Sequence, residues 1–324
     1  MLVGRVMFML LGSLLFMECA SSQETHTILV QNINGPSAIG VWIKDSDNGD
    51  PKSPIKKENY DQSDLKITGS YLGNSGTIIA YATGRAPTLK ADVDWSAEHR
   101  VELSLKNTIT IPLHIWVANG DFSQIETTIV NAVESITNNI LKEEHQGIVL
   151  KIVSVTDAIE KGQVHGYDKL VKPYQCGDGQ ITTAIGSDIE AFNVYFVRSV
   201  LDHGTLSTMS AEYCQLNQII VMGSDNYDIE HLGGLLAHEL GHFLSLEHTD
   251  NIFTETNVMH PQSNKRKFLT EGQTFRAIYH PGSGVDKYSP SQPTRQTVSC
   301  DSVNGTLKEE NCPPIDLQIW DDPK

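Results

Sequence analysis

His238-Glu239-Leu240-Gly241-His242-Phe243-Leu244-Ser245-Leu246-Glu247-His248 is the stretch on which the reading of this chain turns. His238 and His242 lie four residues apart. On an α-helix that is about one turn, so both imidazoles project to one side and reach a common ion. Glu239 adjoins the first, and His248 follows the second by six residues. Three nitrogen ligands leave a tetrahedral zinc one open position, which separates a catalytic site from a closed structural one. Zinc acidifies water and polarises a carbonyl, and a carboxylate beside the ligands can take the water's proton and hand it to a leaving amine. These residues therefore predict a zinc hydrolase acting on peptide bonds, with Glu239 as general base and one catalytic Zn2+ held by His238, His242 and His248.

The third ligand carries a geometric condition. Along one continuous helix His248 would sit roughly 120° around the axis from His242, facing away from the metal. The helix must stop between them, and such stops usually carry a Gly in the left-handed conformation. Position 245, where that Gly is expected, is Ser.

The segment resembles the metzincin clan of zinc peptidases, whose motif HExxHxxGxxH is matched at every position except Ser245. Asn257-Val258-Met259-His260-Pro261 resembles the clan's Met-turn, which implies that Met259 lies beneath the three imidazoles. Leu269-Thr270-Glu271-Gly272-Gln273 resembles the start of the clan's C-terminal helix. Pro261 stands where astacin- and serralysin-like members carry a tyrosine, so the likeness is to matrixin- or reprolysin-like members. The resemblance covers residues 108 to about 282. It implies a mixed twisted sheet with an antiparallel edge strand, long helices, and a smaller part after His248. A peptide substrate is then expected along the edge strand before Gln218, pairing through its main chain. The rival reading is a catalytically silent zinc-containing binding or adhesion protein on the same scaffold. Inactive relatives usually lose the Glu of the motif, and Glu239 is present.

Outward from the motif, the chain divides. Residues 25–107 carry short apolar runs (26–33, 39–43, 65–72, 77–82, 101–105) between Gly, Pro, Asn and Asp clusters, the pattern of a small all-β sandwich. From 108 the rhythm alternates. Strands are expected at 108–117, 148–153, 193–197 and 218–222, and a helix over 121–144 opened by a Ser123…Glu126 capping box. The metal-site helix is expected at about 228–245. The apolar strands suit a sheet covered on both faces. The fold class is thus α+β, a catalytic domain at 108–282 preceded by a β-module at 23–107. That module is either retained or a removable prodomain; it has no Cys, which excludes a thiolate plug on the metal. Residues 283–324 turn rich in Ser, Pro and Gln and predict an irregular, disulfide-stapled tail.

Length suits two domains or one large domain with appendages. Residues 1–22 read as a secretory signal: Arg5, an apolar run from Val6 to Met17, then Ala20, Ser21 and Ser22. A lipid-modified Cys19 is the alternative anchor. No segment is long enough to span a bilayer. After cleavage Cys176, Cys214, Cys300 and Cys312 remain, an even set that predicts two disulfides, with neighbour pairing the default. A net charge of −16 repels phosphate backbones and argues against nucleic-acid partners. Asp45, Asp47 and Asp50 resemble a Ca2+ loop only in part, because Gly49 replaces an oxygen ligand, so a solvated turn is expected. Asn304 begins a glycosylation acceptor. His203 beside Asp202 reads as a surface loop, and His231 as lying N-terminal to the site. Glu255 and Glu271 are substitute ligands should His248 not reach.

Overall fold

The computed structural model describes residues 25–31, 33, 37–45, 56–60, 62–69, 75–143, 147–168, 181–202, 205–207, 210–223, 228–249, 255–288, 301–303, 306–308 and 315–317. The export signal, the Asp47 and Asp50 loop, His203, Asn304, Cys176, Cys300 and Cys312 fall outside them. Among the described residues no helix is long and apolar enough to cross a membrane.

Seven strands build the N-terminal module: β1 His26–Gln31, β2 Ser37–Asp45, β3 Lys56–Tyr60, β4 Leu65–Gly69, β5 Ser75–Ala82, β6 Thr88–Asp94 and β7 Arg100–Ser104. They form a three-stranded sheet, β4-β1-β7, and a four-stranded sheet, β3-β2-β5-β6. Ile28 and Val30 of β1, Val41 of β2, Ile78 and Ala80 of β5 and Val101 of β7 share one core, so the sheets form a sandwich. Two strands, β3 and β6, have no alternating apolar pattern and escape a reading of periodicity.

The central strand β5 is buried on both faces. Ile78, Ala80 and Ala82 point into the sandwich, whereas Ile79 and Tyr81 belong to the core of the following domain, with Trp42 of β2. Alternation with a period of two makes this possible, and an unbroken apolar run is its signature. The module is therefore packed into the rest of the molecule. Tyr279 donates its hydroxyl to the Pro87 carbonyl at 3.0 Å, and Thr108 donates to Gly84 at 2.8 Å.

The second domain centres on a five-stranded sheet. Its strands are β8 Ile109–Val117, β9 Ile148–Asp157, β10 Phe192–Val197, then β13 Ala211–Cys214 and β14 Ile219–Gly223, in the order β13-β14-β10-β8-β9. Four run parallel and β13 is antiparallel at the edge. A small hairpin, β11 Val200–Asp202 with β12 Thr205–Ser207, precedes that edge. Short helices α2 Ile159–His165 and α3 Ile181–Ile185 cover one face, where Trp116, Tyr195 and Val221 are buried.

On the other face lie α1 Phe122–Asn131 and α4 Ile229–Phe243. The expected Ser123…Glu126 capping box is not the cap. Asp121 is the N-cap, accepting from the Ser123 amide at 3.1 Å, two residues earlier than the Ser-x-x-Glu pattern suggests. The helix also does not stay α-helical, because Ala132–Thr137 and Asn139–Glu143 widen into π-helical turns. Thr137 there donates to the Gly233 carbonyl of α4 at 3.0 Å. A Cβ on Gly233 would lie 2.4 Å from the Ile136 Cβ, so the helix pair approaches more closely than any larger residue permits.

α5 Glu271–Tyr279 closes the domain. The tail is less irregular than its composition suggests: a turn of 3-10 helix at Gly284–Lys287 precedes a hairpin, β15 Asp301–Val303 with β16 Thr306–Lys308. Val285 and Leu317 are buried in the same core, and Leu317 accepts from the Gly272 amide at 3.2 Å. The boundary expected at 282 thus cuts through packed structure. Overall the chain is a mixed α+β molecule with several sheets and few helices.

Candidate metal centre and cleft

α4 begins at Asp228, whose side chain accepts from the Glu230 amide at 3.1 Å, and runs to Phe243. His238 and His242 lie on its last two turns. The helix then stops in a Schellman motif: the Leu246 amide donates to the Gly241 carbonyl at 2.9 Å and the Ser245 amide to the His242 carbonyl at 3.0 Å. Ser245 occupies the left-handed position with φ of 62°. The break that the third ligand requires is therefore made with Ser in place of Gly.

That turn redirects the chain so that His248 comes back over the helix. Its Nε2 lies 3.1 Å from Nε2 of His238 and 3.2 Å from Nε2 of His242. Ligand atoms bound tetrahedrally at 2.0–2.1 Å from a zinc are about 3.3 Å apart, so the trio has the separation of a coordination sphere. Nδ1 of His238 meets the Val258 carbonyl at 2.6 Å, and Nδ1 of His242 meets the Leu246 carbonyl at 2.9 Å. Each Nδ1–H donates to its carbonyl, which keeps the proton on Nδ1 and leaves the Nε2 lone pair for a metal ion. Burial pushes His238 down to about 2 and His242 down to about 4, with the Arg266 charge adding to both. His248, on the solvent side, shifts in the same direction through partial desolvation and Arg266. All three are neutral at ordinary pH, as ligands must be. The trio can hold a metal ion, and it is the one such group among the described residues.

The turn at 257–259 supports this geometry from below. Met259 is fully buried, and its Sδ lies 2.3 Å from where a Cβ on Gly241 would be. The glycine inside the motif is thus the space that admits the methionine. Asn257 fixes the turn: its Oδ1 accepts from the Met259 amide at 2.9 Å, and its side-chain amide exchanges two hydrogen bonds with Gln273. Gln273 also completes a capping box with Thr270 at the start of α5. The Thr270–Gln273 signal was legible as a helix start; its tie to Asn257 is a long-range pairing that spacing does not reveal.

A cleft of about 930 Å³ holds the trio. Glu239 lines it, only 6% exposed, with Oε2 accepting from the Tyr213 amide at 2.7 Å. Tyr213 is in β13, so an outward-facing donor of the edge strand points at the metal helix. Ser210, Ala211 and Glu212 continue that wall, and Pro261 to Arg266 form the opposite one. Arg266 is buried there, and sequence reading missed it, because a single Arg five residues past Pro261 carries no pattern. His231 lies on the cleft wall as well. Glu255 is exposed and paired with Lys265 at 3.1 Å. Glu271 is buried on α5, where its charge is felt by Tyr81 of the β-module. Neither joins the ligand trio. Of the five cysteines, Cys214 is described and is disulfide-bonded, with its partner outside the described residues. None of the described residues of 25–107 lines the cleft.

Neither a family model nor a curated protein matches the chain. The functional reading rests on the residues and their geometry.

Proposed function

We propose that the chain is a secreted, metzincin-like zinc endopeptidase. The observation that carries this reading is the convergence of three neutral Nε2 atoms beside Glu239, next to the edge strand β13. When bound, the ion supplies Lewis-acid chemistry: it acidifies water and polarises the scissile carbonyl. The protein does the rest. Val258 and Leu246 carbonyls hold the imidazoles in one tautomer and orientation. β13 is the edge strand along the cleft, where an extended peptide adds as another strand and lays its backbone across the trio. Glu239 takes the proton from the attacking water and delivers it to the departing amine. An oxidised Cys214 and the export-type N-terminus support a compartment outside the reducing cytosol.

The test combines metal analysis with proteolysis. Protein purified without chelator is expected to hold one zinc per chain and to cut a diverse peptide mixture, with cutting abolished by chelation. Glu239→Gln is expected to retain zinc and lose turnover. A Glu239→Gln protein that cleaves like wild type removes the mechanism. Zinc-replete wild type that cuts nothing moves the chain to the class of zinc-containing binding proteins.

A further inference from the structure

Arg266 sits in the cleft wall with no ion-pair partner among the described residues. Its side chain is 8% exposed. One terminal nitrogen, Nη2, reaches two backbone carbonyls, His260 at 3.3 Å and Pro261 at 3.4 Å, both at the long end of a hydrogen bond. Its Nε is buried and has no partner. Among the described residues no carboxylate forms an ion pair with it, and the one carboxylate whose charge it feels is Glu239, held by the Tyr213 amide. The neighbouring cation, Lys265, is exposed and already paired with Glu255. Space for Arg266 is built into α4: a Cβ on Gly234 would lie 3.2 Å from its Cβ. A glycine in the helix interior is unfavourable by itself, so the close approach is the feature that the position accommodates.

A buried guanidinium without a counter-charge is costly, and its planar fork matches a carboxylate through two parallel hydrogen bonds. We propose that Arg266 is the docking point for a substrate carboxylate beside the scissile bond, making this peptidase selective for acidic cleavage sites. The proposal rests on the peptidase reading above. The chain's net charge of −16 disfavours acidic peptides at long range, so any such preference must arise locally. The carboxylate comes either from an Asp or Glu side chain of the substrate or from the peptide's own C-terminus; both present the same fork to Arg266.

The experiment is a peptide library in zinc-replete buffer, with Asp, Glu, Asn, Gln or Ala varied through each position and every member made with free and amidated C-termini. Cleavage of Asp and Glu peptides by wild type is expected to exceed that of their Asn and Gln counterparts tenfold or more in kcat/KM. That ratio is expected to fall towards one in Arg266→Gln and to lie between the two in Arg266→Lys. An Asp and Glu preference that survives amidation assigns the carboxylate to a side chain, and a tenfold fall in kcat/KM on amidation, alike for acidic and amide members, assigns it to the terminus. A wild-type ratio near one together with no loss on amidation overturns the proposal and leaves the peptidase reading standing. An unchanged ratio in folded Arg266→Gln overturns it too. If nothing is cut, binding of the same labelled peptides by fluorescence anisotropy decides. Arg266-dependent binding of acidic members keeps the carboxylate site without the peptidase, and binding blind to charge overturns the site.

Discussion

Ser245 offers a sharp perturbation of the metal centre, because one backbone angle there sets two ligands. Its φ of 62° places an L-residue in the left-handed region, which costs roughly 1–2 kcal/mol relative to the right-handed one. Ser245→Gly removes that strain. It also gives the unfolded chain more freedom, which returns about 0.4–1 kcal/mol. The net expectation is a stabilisation of about 0.5–1 kcal/mol, or roughly 1–3 °C in Tm for a chain of this size. Ser245→Val runs the other way, because a β-branched residue in this region is a true outlier. The Schellman bonds from Leu246 and Ser245 would loosen, and with them the Leu246 carbonyl that orients His242 and the path that returns His248. Zinc affinity, measured by competition with a chromogenic chelator, should hold in Ser245→Gly. In Ser245→Val it should fall by tenfold or more, about 1.4 kcal/mol. Thermal melts with and without zinc separate the fold from the site. A Ser245→Gly protein that melts below wild type, or a Ser245→Val protein that binds zinc with wild-type affinity, would refute the reasoning.

Other consequences follow from the same geometry. Gly241→Ala puts a methyl 2.3 Å from the Met259 Sδ and should lower stability by about 1–3 kcal/mol, read as a Tm drop in the zinc-loaded protein; no drop would place Met259 elsewhere. The metal-free protein should lose stability as pH falls below 6.5. His238 and His242 have depressed folded values, so the unfolded chain takes up protons that the native one refuses. Each imidazole contributes at most about 1.4 kcal/mol per pH unit between 6.5 and its folded value, about 4 for His242 and about 2 for His238. Urea titrations of chelated protein at pH 7 and pH 5 check the sign, and equal midpoints would contradict it. Trp42→Ala should cost about 3–5 kcal/mol although Trp42 belongs to the N-terminal module, because it is buried in the core of the second domain. Thermal melts of the full chain check this, and a Trp42→Ala protein that melts like wild type would mean that residues 25–107 behave as a detachable prodomain.

The legible parts of the molecule are those that local spacing dictates. Residues 228–245 show the helix because Asp228 caps it and the two His repeat with its period. The inner sheet strands at 192–197 and 219–223, and the second half of 109–117, show because both faces are buried and the apolar runs are nearly unbroken. Elements set by partners far along the chain do not show. β3, Lys56–Tyr60, reads as a polar stretch and pairs only because β2 offers an edge. The π-helical turns after Asn131 look like ordinary helix in sequence, and the widening accompanies a side-chain bond from Thr137 to α4. The run at 77–82 was legible as a strand. Its meaning was not, because burial on both faces requires a second domain that the run does not name.

The site divides along the same line. The trio was visible from spacing, but the feature that makes it converge is a left-handed turn at a residue whose type argues against it. Local propensity alone would therefore reject the third ligand. The structure accommodates Ser245 because several independent contacts specify the path on both sides. The Leu246 and Ser245 amides close the helix end, and the Thr249 amide donates to the Met259 carbonyl at 3.0 Å. Asn257 and Gln273 lock the turn that holds His238. A strain of one or two kcal/mol persists where surrounding contacts over-determine the backbone, and such places cluster at functional sites. That gives the Asn257–Gln273 pair a role that spacing does not suggest. Asn257→Ala leaves the Gln273 amide with fewer partners and frees the Val258 carbonyl, so it should weaken zinc binding without touching a ligand. Gln273→Ala should do the same, and the double variant should lose much less than the sum, since both act through one pair. Additive losses in the double-mutant cycle would mean that the two amides support the fold separately and that the turn is not held from α5.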